Sequence, residues 1–137
     1  MSLHKKLRSE SGASAVEFAL LLPVLMLILF GIIEFGMALY RQAILTNASR
    51  EGARLGIVQS VPAITNGQIN TAIDNYLTPA GIVPGDVSRT IVAGGVTGTP
   101  VIVTLTLPYT FVSLPGLTSG SVVPTINLTA RTEMRHE

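Results

Sequence analysis

From Phe18 to Ile33 the chain runs F-A-L-L-L-P-V-L-M-L-I-L-F-G-I-I without a single charged residue. Sixteen residues of helix rise about 24 Å, and continuing to Tyr40 brings the length to about 34 Å. The hydrocarbon core of a bilayer is about 30 Å thick, so this stretch predicts a helix that spans it. One acidic residue, Glu17, stands at the mouth of the run. A carboxylate at the edge of lipid is costly, which marks it as a candidate functional group.

The flanks orient the span. Lys5, Lys6 and Arg8 precede it together with His4, and Lys5 and Lys6 are the only lysines in the chain. A basic cluster ahead of the apolar run predicts a cytoplasmic N-terminus, although Arg41, Arg50 and Arg54 follow on the other side. Residues 1–12 read as a targeting leader, residues 13–33 as the membrane helix, and everything after Tyr40 as lying across the membrane. Secretory cleavage near Leu39, after the small-x-small triplet Gly36-Met37-Ala38, is an alternative. The apolar run is long for a signal peptide, and Glu34 interrupts it.

Pro23 lies inside the helix, where a missing hydrogen bond and a steric clash predict a kink over residues 19–23. Gly31 and Gly36 offer small surfaces for a neighbouring helix, but they are five apart and do not form a GxxxG motif. Glu34 falls where the helix should leave the hydrocarbon. It is read either as an interfacial carboxylate or as an intersubunit partner for an arginine such as Arg41, seven residues on and on a similar face.

Beyond the membrane the helix continues over residues 37–56, with Tyr40, Ile44, Ala48 and Leu55 on one side and Gly52 filling the gap. Arg50-Glu51-Gly52-Ala53-Arg54 reads as a solvated face with a close-packing glycine, and Glu51 pairs with Arg54. A connector containing Pro62 follows. Thr65 and Gln68 form a T-x-x-Q capping box that opens a second helix. Ile69, Ala72, Ile73, Tyr76 and Leu77 give it one apolar face, with Asp74 and Asn75 on the solvated side; Pro79 and Gly81 end it.

From Val83 the pattern becomes β. Residues 88–93 are a short strand candidate. Residues 99–107 alternate cleanly, with Val101, Val103, Leu105 and Leu107 on one side, and Pro108 is expected to stop them. In residues 124–134, Ile126, Leu128, Ala130, Thr132 and Met134 are inward. Loops are expected around residues 84–100 and 114–123. Three strands covered by helix 66–77 make the smallest independently stable arrangement. The expected class is therefore α+β: a long N-terminal hydrophobic helix, transmembrane and then an amphipathic stalk, followed by one short helix packed on an antiparallel sheet of about three strands.

The chemistry-bearing residues are few. There is no cysteine, the net charge is +1, and charged residues make up only 12% against 47% hydrophobic ones. That balance offers no strong electrostatic attraction for nucleic acid. After residue 12 the only histidine is His136. The acids are scattered, no His/Asp/Glu group has metal-ligand spacing, and Gly94-Gly95 with Gly98 does not make a phosphate loop. Neither an enzyme, a cofactor, a metal nor a small-molecule substrate is expected.

What stands out is the junction G-A-S-A-V-E-F at 12–18: a basic leader ending in Gly12, a small residue, and Glu17 at the fifth position after the glycine. This resembles the cleavage and assembly signature of type IV pilin precursors. The resemblance implies that a prepilin peptidase cuts between Gly12 and Ala13, and that Glu17 is the family's fifth-position glutamate. The segments A-V-E-F-A-L-L-L-P (15–23), I-I-E-F-G (32–36), R-E-G-A-R (50–54), Y-T-F (109–111) and L-T-A-R-T-E-M-R (128–135) are further similar to the TadE-like minor pseudopilins of tight-adherence pilus systems. Residues 57–100 contribute almost nothing to the likeness.

The resemblance implies a basic prepilin-type leader at 1–12, a transmembrane and stalk helix at 13–56, and a small periplasmic or extracellular domain at 57–137. It implies an inner-membrane protein with a structural or assembly role in an adhesive, biofilm-forming pilus. The implied partners are the peptidase, other pilins and pseudopilins, and the assembly machinery. A signal-anchored single-pass envelope protein whose outer domain binds another envelope component is the alternative.

Overall fold

The computed structural model describes the backbone of residues 3–58, 63–92, 98–111 and 125–135, with side chains from Gly12 onward. Helix α1 covers Leu3–Gly56, 54 residues without a break. It therefore takes in most of the expected leader instead of beginning after it. Gly12 weakens a helix by about 1 kcal/mol relative to alanine but does not end one when no proline or cap accompanies it. The helix also continues through Pro23.

Two regimes divide α1. From Gly12 to Ile33 the side chains are exposed, with only Met26 partly covered, although nearly all are apolar. From Glu34 onward one stripe is buried: Glu34, Ala38, Ile44, Leu45, Ala48, Ser49, Gly52 and Ala53. Tyr40 departs from the expected stripe and remains 54% exposed. The covering domain begins at Glu34 and Ala38, and Tyr40 is turned well away from Ala38 around the helix. The exposed apolar part, residues 12–33, is about 33 Å long by helical rise, matching one bilayer crossing. Among the described residues, one helix, at the N-terminal end, is thus long and apolar enough to cross a membrane.

The second helix, α2, spans Asn66–Leu77. The expected capping box is present: the Gln68 amide donates to Thr65 Oγ1 at 3.3 Å, and the Thr65 amide donates to Gln68 Oε1 at 2.8 Å. Ile69, Ile73 and Leu77 are buried. A 3-10 turn at Thr78–Ala80 then leads into Gly81, whose φ of 74° is the left-handed conformation that glycine adopts without penalty. Asp74 is not simply solvated: its carboxylate lies 2.5 Å from the Arg89 guanidinium, a close ion pair across to the sheet. Arg89 also donates to the Pro84 carbonyl at 2.8 Å.

Strands β1 (Ser88–Val92), β2 (Pro100–Thr110) and β3 (Thr125–Arg135) form one antiparallel sheet in the order β1-β2-β3. The α+β class is as expected, and so is the inward parity of β2 and β3. Ile126 has the inward parity but is 42% exposed at the strand's start. Pro108 does not stop β2, which pairs with β3 through Pro108↔Asn127 as far as Thr110↔Thr125. The reason is local: β1 pairs with β2 only as far as Ser88↔Thr106, so beyond that point there is no β1 ladder for a proline to break. Residues 59–62 of the expected connector at 58–64, the end of the first strand candidate at 93, and the loop at 114–123 lie outside the described residues.

The core is the space between α1, α2 and the inner sheet face. Val101, Val103, Leu105, Leu107 and Tyr109 from β2 meet Leu45, Ala48 and Ala53 of α1 and Ile69, Ile73 and Leu77 of α2. Contact is closest at two glycines. A Cβ on Gly52 would lie 2.9 Å from Ile73 Cγ1, and one on Gly56 would lie 2.8 Å from Val101 Cγ1. The close-packing role expected of Gly52 is what the structure shows, and Gly56, one turn on, shares it.

Candidate functional site: the membrane helix and its collar

β2 runs back along α1. Its beginning, Val101, touches Gly56, and its end, Tyr109, touches Glu34. The end of the sheet is thereby brought to the point where the exposed apolar helix begins. Three polar contacts fasten the helix along this line. Ser49 Oγ lies 2.7 Å from Thr132 Oγ1, Gln42 Nε2 donates to the Thr129 carbonyl at 2.9 Å, and the Tyr109 hydroxyl donates to Glu34 Oε2 at 2.8 Å. Ser49 is fully buried, and its hydroxyl also reaches the Thr46 carbonyl at 2.8 Å.

Glu34 is only 7% exposed. The domain folds back over this carboxylate, and Tyr109 supplies it with a donor. A hydrogen bond to a charged acceptor is worth about 1.5–3 kcal/mol, which offsets part of the cost of covering the charge. Arg41 does face the same place, but through the aromatic ring: its guanidinium carbon is 5.3 Å from the Tyr109 centroid. Phe111 meets that ring edge-on, with centroids 5.3 Å apart at 89°. Burial, and then the hydrogen bond to Glu34, raise the Tyr109 phenol above its ordinary value of 10.0, while Arg41 pulls in the opposite direction. These groups line a half-open cleft of about 380 Å³ with Ile33, Met37, Pro108 and Thr110.

The remaining candidates sit on the bare part of α1. Gly12, Ala13, Glu17, Pro23, Gly31 and Gly36 are all exposed on the helix surface. A Cβ added at Gly12, Gly31 or Gly36 would find no atom within 4 Å, so no packing among the described residues requires those glycines. Lys5 and Lys6 lie in the first turns of α1 and Arg8 a turn later; their side chains are outside the described residues. Glu17 projects from the apolar shaft about 26 Å from Glu34 by helical rise, so the two carboxylates do not act as a pair.

Sequence reasoning found Glu34 and Arg41 but not the residue that joins them. Tyr109 stands in the sequence within the Y-T-F segment that follows Pro108, and the continuation of β2 beyond Pro108 brings it to the helix. Among the described residues no group of three acidic or histidine side chains could hold a metal ion. The family model described as TadE-like protein matches residues 12–54, the bare apolar helix and the collared stalk together. No curated protein and no solved structure matches the chain.

Proposed function

We propose that this chain, a TadE-like protein over residues 12–54, is a minor pseudopilin or assembly protein of a tight-adherence pilus. The supporting observation is the conjunction at the start of the bare helix: Gly12, Ala13 and Glu17 lie exposed at the head of a segment about one bilayer long. The family match over residues 12–54 supports a pilus-associated role, and the long apolar helix supports membrane anchoring. Processing, orientation and the assembly role are the further steps of this reading.

In this reading Lys5, Lys6 and Arg8 hold the N-terminus on the cytoplasmic side of the inner membrane, and the domain lies on the periplasmic or extracellular side. A prepilin peptidase cuts between Gly12 and Ala13. Gly12 favours the cut because it lowers local helix stability by about 1 kcal/mol relative to alanine, easing the unwinding that presents a peptide bond to a protease. The mature helix then begins at Ala13, where the hydrocarbon begins.

The cut also creates a cation. In a bundle of such helices an unpaired Glu17 would be a buried charge with a penalty of several kcal/mol. The α-amino group of Ala13 on a neighbouring subunit compensates it and fixes the stagger between the two. Gly31 and Gly36, unobstructed within the chain, provide surfaces for close helix approach. The role is structural, in building or priming an adhesive pilus that supports biofilm formation, with other pilins and the assembly machinery as partners.

The test is co-assembly. Sheared pili are collected from cells expressing the wild-type chain or Glu17→Gln, and incorporation is measured alongside the extent of leader removal. Normal removal with loss of incorporation is expected. Normal removal with wild-type incorporation would refute the role given to Glu17.

A further inference from the structure

We propose that the cleft between α1 and the end of β2 is a phospholipid headgroup site, with Arg41 as the ligand for the phosphodiester. The proposal rests on the membrane reading of residues 12–33 and adds a specific contact to it.

Depth is the first argument. Arg41 is eight residues beyond Ile33, about 12 Å along the axis. Long side chains on a helix lean toward its N-terminus, here toward the membrane. The guanidinium lies over the Tyr109 ring, whose hydroxyl is 2.8 Å from Glu34 Oε2, so the cation is drawn back toward the level of Glu34. That places it a few ångströms outside the hydrocarbon edge. The headgroup layer occupies about 5–8 Å on each side of the core.

The state of the cation is the second. Arg41 is half-buried, so the ring fixes it without enclosing it. A planar guanidinium braced from one side by an aromatic face keeps its N–H donors in a fork suited to phosphate oxygens.

The lining is the third. Ile33, Met37 and Pro108 give apolar walls continuous with the lipid-facing helix, and Thr110 adds a hydroxyl at the rim. Glu34 is in the same cleft and engaged by Tyr109. Because Glu34 offsets the Arg41 charge, the cleft disfavours ligands that carry more than one negative charge.

The full-length chain is reconstituted in phosphatidylethanolamine/phosphatidylglycerol vesicles, extracted in mild detergent, and weighed intact with its retained lipid. The wild type is expected to keep one phospholipid per chain. Arg41→Gln should reduce that occupancy at least about tenfold, the scale of a lost charge-assisted bond. Arg41→Lys should retain more than Arg41→Gln. Arg50→Gln, nine residues further along the stalk, should behave as wild type. Millimolar inorganic phosphate should not displace the lipid. A wild-type chain that keeps no lipid, an Arg41→Gln chain that keeps as much as wild type, or displacement by free phosphate would each overturn the site. Alkaline carbonate washing is run in parallel. Release of the wild-type chain would overturn the membrane reading itself, whereas retention with unchanged lipid in Arg41→Gln would overturn only the headgroup site.

Discussion

Replacing Tyr109 with phenylalanine removes one oxygen from the contact that fastens the sheet to the helix at the membrane edge. That oxygen lies 2.8 Å from Glu34 Oε2 and 3.4 Å from the Glu34 carbonyl. The ring remains, so the edge-on contact with Phe111 and the stacking of Arg41 are preserved. The loss is therefore that of a hydrogen bond to a covered carboxylate, about 1.5–3 kcal/mol. Since every 1.4 kcal/mol is a factor of ten, local opening should become roughly 10- to 150-fold more frequent. Amide hydrogen exchange of the full chain in vesicles reads this out segment by segment. Residues 107–110 and 125–128 should lose protection, while the far end of β2 near Val101 and Gly56 should keep it. Equal protection in Tyr109→Phe and wild type would refute the idea that this hydrogen bond holds the collar closed. The same variant tests a pH effect. A phenol whose value is raised in the folded state contributes stability that is complete below 10.0 and is lost as the pH rises through the folded value. Wild type should therefore open progressively above about pH 10 by an increment that Tyr109→Phe lacks.

The glycines separate packing within the chain from packing between chains. Gly56→Val would drive a side chain into Val101, 2.8 Å from the added Cβ, and should destabilise the domain by about 1–3 kcal/mol in denaturant titration. Gly36→Ala meets nothing within 4 Å and should leave the isolated chain unchanged or up to about 1 kcal/mol more stable, while weakening association wherever Gly36 is a contact between subunits. Arg89→Met removes the ion pair to Asp74 and the bond to Pro84; because the pair is only partly covered, a cost of about 1–2 kcal/mol is expected, between those of exposed and buried pairs.

The sequence revealed most where a pattern repeats. The charge-free run from Phe18 to Ile33, the alternation in β2 and β3, and the Thr65–Gln68 box each rest on several residues that agree, and each element appears in the structure. Single-residue rules served less well. Pro108 is a strand-breaker only where a ladder needs its missing N–H, and the length of β1 decides that. Tyr40 looked like part of the buried stripe because local periodicity cannot say which side of a long helix the domain will cover. Glu34 was legible as an unusual carboxylate, but its partner lies 75 residues away, and no local pattern reports a contact of that separation. Asp74 was hidden for the same reason, since its partner Arg89 is on the sheet. Gly12, Ala13 and Glu17 stand out in the sequence because the junction motif is contiguous, and all three are exposed on the helix.

The most direct test of the pilus reading is the intact mass and N-terminal sequence of the protein from native membranes, with and without the prepilin peptidase. A mature chain that begins at Ala13 only when the peptidase is present is the expected result. An uncut chain, or one that begins near Leu39, would contradict it, leaving Glu17 without its partner cation and favouring a signal-anchored or secreted protein.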